Sequence, residues 1–554
     1  MSQLDVLFFV PMNVPDTCRP DPDAPHLVSG VADAIEPNKE IRMMIAYCLR
    51  RGLNIASIDA NVTNQSPDEV AQIVAEANPR LVVFSVRGFN PTASTQTMTS
   101  ARLYAQAIKN WSPKTPIMFT GLHPASAPKL TLNTEPDVDF VCVGEGPITA
   151  HDLALAIKAG SGFDNVGSLC YRKDGGVVQT IPAPLLDLNM ELAIDGWKFQ
   201  NPEHYQTHPW HRGYRAAEFG RPFVTINTRE GCPFSCGFCP IQSQFADGET
   251  LLRQAGKLKA GVNSFRTMRP QLVVDELKHH VNRLNVTRER PLYVKFTDEM
   301  AGLDNHMVNI SKLIIEQIGE GILNFWHYAR VDTILLKPHD LETIRRAGGT
   351  FCGVGVESAN ALVRSGQDKK FTNKRIFEVR KALSDAGLYA GFNYIVGLSS
   401  NPDENTPADT AESMEETVQL AIALQAEYSN IYTEMAYPGA SIYRRAVESG
   451  FPFRKLADGR PDWSAFEQYG YSCFPTYLDT AVTGLTREDI LAKRDEAHLR
   501  IYGDPTWRNM IVNHPGFGPV ALEQVDIWMA SLTPAKLRRK ILEDARHPYV
   551  LSSR

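Results

Sequence analysis

No stretch of the 554 residues approaches the length of an apolar membrane span. No secretory leader is apparent either, so a soluble cytoplasmic protein with no membrane partner is the expectation. An excess of one charge is also missing. The 57 Lys and Arg against 63 Asp and Glu leave a formal charge of −6, which gives no electrostatic reason for a nucleic-acid partner. Cysteine is sparse: of nine, Cys18, Cys48, Cys142, Cys170, Cys352 and Cys473 stand singly in apolar surroundings, which argues against a disulfide framework and marks them as small core residues. With 43% hydrophobic and 22% charged residues the chain is an ordinary globular one, large enough for about three domains.

What is present is concentrated in Thr228–Ile241, T-R-E-G-C-P-F-S-C-G-F-C-P-I, where Cys232, Cys236 and Cys239 are spaced C-x3-C-x2-C with Phe238 before the last. Residues 223–227 alternate like a strand, and the Gly and Pro residues that follow force a loop, so three thiolates project from one strand end. Zinc is the alternative, but a closed zinc site needs four ligands and no fourth Cys or His lies in the loop. Three thiolates can instead hold three irons of a four-iron cluster and leave the fourth open.

Ahead of this loop, apolar strands 4–10, 54–59, 81–86, 116–120 and 140–143 alternate with helices 39–51, 67–77 and 97–110, the pattern of a doubly wound parallel sheet of Rossmann type. Its ligand would sit at the strands' carboxyl ends. Three loops there are rich in small residues: 87–94 with Gly88, Thr92 and Ser94; 121–125 with Gly121 and His123; and 144–147 with Gly144, Glu145 and Gly146. A hairpin with an Asp-Gly turn follows within 168–180. After it, the segment from His204 to Arg215 brings His204, His208, His211, Arg212 and Arg215 among aromatics, as a surface linker packing on the barrel or as a lid offering cations to an anionic substrate.

From 223 onward six strand and helix units predict a partial parallel (β/α)6 barrel with its chemistry at the carboxyl ends of the strands. Asp298 and Glu299 end the second strand, Arg330 the third, and Glu357 and Ser358 the fourth. Beyond 450, charged amphipathic helices at 486–503 and 533–546 read as a helical C-terminal cap that closes the pocket against water. The expected division is 1–165, 166–220, 221–450 and 451–554.

The cysteine spacing, the G-L-H-P-A and G-E-G-P segments at 121–125 and 144–147, and V-G-V-E-S at 354–358 together resemble the cobalamin-dependent (class B) radical S-adenosylmethionine (SAM) enzymes, and among them the methyltransferases. The D-x-H-x-x-G segment that supplies a cobalt-ligating histidine in other cobalamin proteins is absent. The resemblance implies a [4Fe-4S] cluster on the three cysteines, SAM chelated at the open iron, and cobalamin bound by the N-terminal loops, with His123 lining the lower face of the corrin. It implies that Asp298 or Glu299 accepts from the SAM amino group, that Arg330 meets the SAM carboxylate or the substrate, and that Glu357 and Ser358 reach the ribose. Reductive cleavage of SAM would generate a 5'-deoxyadenosyl radical, with a flavodoxin or ferredoxin as electron donor. The expected reaction is methylation of an unreactive carbon or phosphorus centre in a small, anionic biosynthetic intermediate. A radical cyclase or rearrangement enzyme of the same family, and a non-catalytic cobalamin or redox sensor, are the rival readings.

Overall fold

The structure is a computed structural model that describes residues 3–12, 34–88, 94–190, 193–212, 220–334, 337–468, 472–530 and 532. Five apolar strands, β1 (Val6–Val10), β2 (Ile55–Asp59), β3 (Leu81–Ser85), β4 (Ile117–Thr120) and β5 (Phe140–Cys142), pair in parallel in the order β2-β1-β3-β4-β5. The side chains of β1, β3, β4 and β5 are buried on both faces, as helices on either side require, while the edge strand β2 is half-buried beyond Ile55. Local signals set the helices. Asn38 caps Lys39–Arg50, and Ser66 with Glu69 forms a capping box ahead of Pro67 on Pro67–Ala77. The hairpin expected in the linker instead extends this sheet: β6 (Leu169–Lys173) pairs antiparallel with β5, and β7 (Gly176–Gln179) with β6.

The second sheet is the predicted barrel. β8 (Phe223–Ile226) is followed by a short antiparallel pair, β9 (Arg229–Gly231) and β10 (Phe265–Thr267). Then β11 (Leu292–Phe296), β12 (Leu323–Arg330), β13 (Gly349–Glu357), β14 (Tyr389–Val396) and β15 (Tyr428–Thr433) continue from β8 in sequence order, all parallel. Five of the six isolated cysteines are described, and all are free and buried; Cys18 lies outside the described residues.

Two expectations change here. The described C-terminal helices do not close the pocket. Arg487–Gly503 packs on the outer face of β15, where His498 Nε2 accepts from the Ile431 amide at 3.1 Å and the Tyr502 hydroxyl donates to the Ser429 carbonyl at 2.6 Å. The expected helix at 533–546 lies outside the described residues. The described part of His204–Arg215 follows the first of its two readings, a linker packing on the barrel, and is not a lid. His211 stacks on Trp326 with ring centroids 3.8 Å apart and leans on Phe351, and its carbonyl accepts from Thr350, so it plugs the amino-terminal end of the barrel, opposite the cysteines. Burial holds its imidazole well below the usual pKa, hence neutral. Arg212's side chain and Arg215 lie outside the described residues. No described helix is long and apolar enough to cross a membrane.

Candidate active site

The cysteine loop is pinned before anything binds it. Gly231 takes φ +87°, and a Cβ there would collide with the Ser264 carbonyl where β9 meets β10, so only glycine launches the loop this way. The Cys239 amide donates to the Cys236 carbonyl at 3.0 Å. Asn263 donates to the Phe234 carbonyl at 3.0 Å, and Ser441 to that of Gly237 at 3.0 Å. Arg330 lies over the Phe234 ring at 3.6 Å and reaches Cys236 Sγ at 3.5 Å, while Asp332 holds its other nitrogens at 2.9 Å. Arg330 thus braces the loop and sets positive charge beside Cys236. Burial raises all three thiols, Cys232 to about 12, so they carry protons until a metal displaces them. Among the described residues no three His, Cys, Asp or Glu side chains converge on one point as a single ion requires.

The structure separates the two acids at the end of β11. Asp298 accepts from the Thr228 amide (2.6 Å), the Thr228 hydroxyl (2.5 Å) and the Arg229 amide (2.9 Å), so it fixes the strand leading to the cysteines and has little left for a ligand. Glu299 is buried with neither oxygen hydrogen-bonded, 3.8 Å from Lys39 and 3.9 Å from Arg87. Burial lifts its pKa to about 7, with the Lys39 charge pulling it back down. An unsatisfied buried carboxylate beside the cysteine loop fits an ammonium ligand such as the SAM amino group.

Lys39 and Arg87 come from the N-terminal sheet and escaped the sequence reading. Lys39 pairs with Glu230 at 3.0 Å, and Arg87 with Glu40 at 2.5 Å, all four buried. One signal was visible: a lysine at the first position of a helix opposes the helix dipole, so Lys39 had to be held by something else. On β13, Glu357 sits at φ +69° and pairs with Lys369 at 2.5 Å, over Gly355. Ser358 is buried and serves its own turn, accepting from the Asn360 amide at 3.1 Å beside Thr417, so it faces away from the cavity side of Glu357. Phe238 packs with Val363, Ile395, Leu398 and Tyr432 beside the loop.

At the N-terminal sheet, Gly121 (φ +108°) leaves room for the Val86 carbonyl, which accepts from Ser94, while Ser94 Oγ in turn accepts from the His123 amide at 3.1 Å. His123 is buried, its Nδ1 3.0 Å from Thr95 Oγ1, its Nε2 without a partner, and its ring edge-on to Trp463 at 4.5 Å. Burial, helped by Arg102, drops its pKa to about 3, so it stays neutral and keeps a lone pair. Thr97 and Ser100, a turn apart on the helix that Ser94 opens, bury hydroxyls without partners. These orphaned groups fit the polar rim and face of a corrin. The third loop does not join them. Glu145 pairs with Arg266 of β10 at 2.5 Å and accepts from the Leu186 amide, Gly144 packs on Ser168 and Gly146 on Met44, so this loop ties the sheet to the barrel. Gly88 is buried at the end of β3, and Thr92 lies outside the described residues.

This is the fold of a cobalamin-binding radical SAM methyltransferase. It superposes with a TM-score of 0.60 at 14% identity on TsrM from Kitasatospora setae, solved with cobalamin and a [4Fe-4S] cluster bound, over 98% of this chain and 100% of that one. Residues 25–154 match the B12 binding domain. In sequence the chain is 25% identical over 403 residues to an uncharacterised methyltransferase of Pyrococcus horikoshii, spanning 73% of this chain and 77% of that protein. It is 24% identical over 410 residues to the anaerobic magnesium-protoporphyrin IX monomethyl ester cyclase of Rubrivivax gelatinosus, spanning 71% of this chain and 62% of the cyclase, under two thirds of its length. The resemblance to cobalamin-dependent radical SAM enzymes read from the sequence holds.

Proposed function

We propose that this chain is a cobalamin-dependent radical SAM methyltransferase acting on an unreactive carbon or phosphorus centre of a small metabolite. The observation that carries the reading is the meeting, at one domain junction, of three thiols on a pinned loop with the unsatisfied carboxylate of Glu299. When bound, the cluster supplies one electron for reductive cleavage of SAM and the corrin a transferable methyl group. Cys232, Cys236 and Cys239 hold the cluster, and Arg330 offsets negative charge at Cys236. Glu299 orients SAM through its ammonium. His123, Ser94 and the loop at Gly121 receive the corrin, and the docked N-terminal sheet excludes water from the junction.

Anaerobically reconstituted protein should contain iron and corrin, and with SAM, a flavodoxin or ferredoxin and substrate it should release both 5'-deoxyadenosine and S-adenosylhomocysteine. Release of deoxyadenosine alone would favour the second reading, a radical cyclase, which the similarity to the magnesium-protoporphyrin cyclase supports. Of the segment that suggested an anionic substrate, His211 lends no support, because it lies neutral at the far end of the barrel, while Arg212's side chain and Arg215 lie outside the described residues.

A further inference from the structure

The barrel is more open inside than on its outer face. Along β15, Tyr428, Asn430 and Tyr432 are half-buried while Ser429, Ile431 and Thr433 between them are buried. Tyr328 on β12, Gly355 on β13 and Asn393 on β14 are half-buried among buried neighbours in the same way. The alternate set, including Val354, Val356, Phe392, Val396 and Ile431, packs into one apolar cluster with the surrounding helices. Apart from Tyr428, which packs against that cluster beside Trp210, the half-buried set therefore faces inward. Tyr328 and Tyr432 stand on strands separated by two others, each at a half-buried register position.

Among the described residues the lining is polar without net charge. The Tyr328 hydroxyl has no hydrogen-bond partner among the described residues, and its ring lies where a Cβ on Gly353 would come within 2.6 Å. Asn430 donates to the Tyr432 hydroxyl at 2.9 Å and to Asn393 Oδ1 at 3.4 Å, which leaves the Asn393 amide nitrogen as a donor. Below them the floor is neutral His211 on Trp326. Among the described residues each cation at this interior already faces a carboxylate: Lys295 faces Glu36 at 2.5 Å, Lys369 faces Glu357 at 2.5 Å, and Arg330 faces Asp332 at 2.9 Å. The acids Glu36 and Glu357 are used up by the same pairs. A carboxylate, phosphate or ammonium entering here would be desolvated without a counter-charge, whereas a neutral polar group would exchange water for phenol and amide partners.

We propose that the part of the substrate entering the barrel is an uncharged hydrogen-bonding group, an amide or lactam in character, held by Tyr328 and Asn393. This rests on the radical SAM reading only for which end of the substrate reacts. The test is calorimetric titration of the anaerobically reconstituted full chain with four isosteric probes: benzamide, benzoate, phenylphosphonate and benzylamine. Benzamide should bind at least tenfold tighter than any charged probe, and both N393L and Y328F, checked for retained iron and melting temperature, should weaken it several-fold. Equal or tighter binding of a charged probe, no binding of benzamide, or unchanged benzamide affinity in the variant that folds would overturn the assignment. SAM cleavage by the wild type is scored separately, so its absence would sink the functional reading and leave the binding result standing on its own.

Discussion

The two ends of the barrel are built on opposite terms. At the amino-terminal end every aromatic finds a neighbour: His211 on Trp326 and Phe351, and Trp210 on Tyr428, Trp507 and Phe517. At the carboxyl-terminal end Cys236 meets Arg330, Cys232 and Cys239 meet the Phe234 and Ile241 amides, and among the described residues Glu299 has charges nearby but no hydrogen bond. One end is saturated and contributes stability. The other keeps unsatisfied groups whose desolvation a ligand would relieve, so the polarity of the strands divides folding from chemistry.

The largest effect should come from the open end. Alanine at Cys232, Cys236 or Cys239 removes a thiolate that no neighbour can replace, and the expected outcome is loss of the iron chromophore and of SAM cleavage, read by absorbance and deoxyadenosine release. Next is Glu299→Gln, expected to weaken SAM binding roughly ten- to a hundredfold, the range for a lost charge-assisted hydrogen bond, measured by equilibrium dialysis. The pH dependence follows from Glu299's raised pKa. Folding makes this group bind a proton that the unfolded chain has released, so its contribution to stability is present below the ordinary value of 4.5 and lost as pH rises through about 7. The anion that an ammonium needs forms over that same upper range, so SAM should bind more tightly at pH 8 than at pH 6 in the wild type and show no such step in E299Q.

At the closed end, His211→Ala should cost about 3 kcal/mol in denaturant unfolding, as large core truncations do, with SAM affinity unchanged. A strong fall in SAM affinity there would erase the contrast between the ends. Smallest of all, Cys352→Ala removes a buried thiol on the outer face, 3.8 Å from His327, and should cost about 1 kcal/mol with the cluster intact. Loss of the cluster in C352A would mean that the ligands are misassigned.

The local devices were legible in the sequence. The helix at 67–77 was bounded by its own capping box and proline, the six barrel strands by their apolar runs, and the cysteine loop by its spacing. Partnerships across the chain were not. Lys39 meets Glu230 and Arg87 meets Glu299 only because the N-terminal sheet docks on the barrel mouth, and no local pattern encodes that. Asp298 and Glu299 are adjacent and chemically alike, so only the structure shows one tying down Thr228 and the other left open. The same holds for His211, whose sequence neighbours left open a linker packed on the barrel or a lid, and only the tryptophan on β12 shows it as part of the floor.

The account stands most directly on whether Glu299 anchors SAM beside the three cysteines. Electron paramagnetic resonance of the reduced, reconstituted protein with and without SAM tests it, because a ligand at the open iron perturbs the cluster signal. The expected result is a SAM-dependent change of spectrum in the wild type that is lost or greatly weakened in E299Q at the same SAM concentration, with the SAM-free spectra of the two proteins superimposable. An unchanged wild-type spectrum on adding SAM, or a full response retained by E299Q, would contradict it.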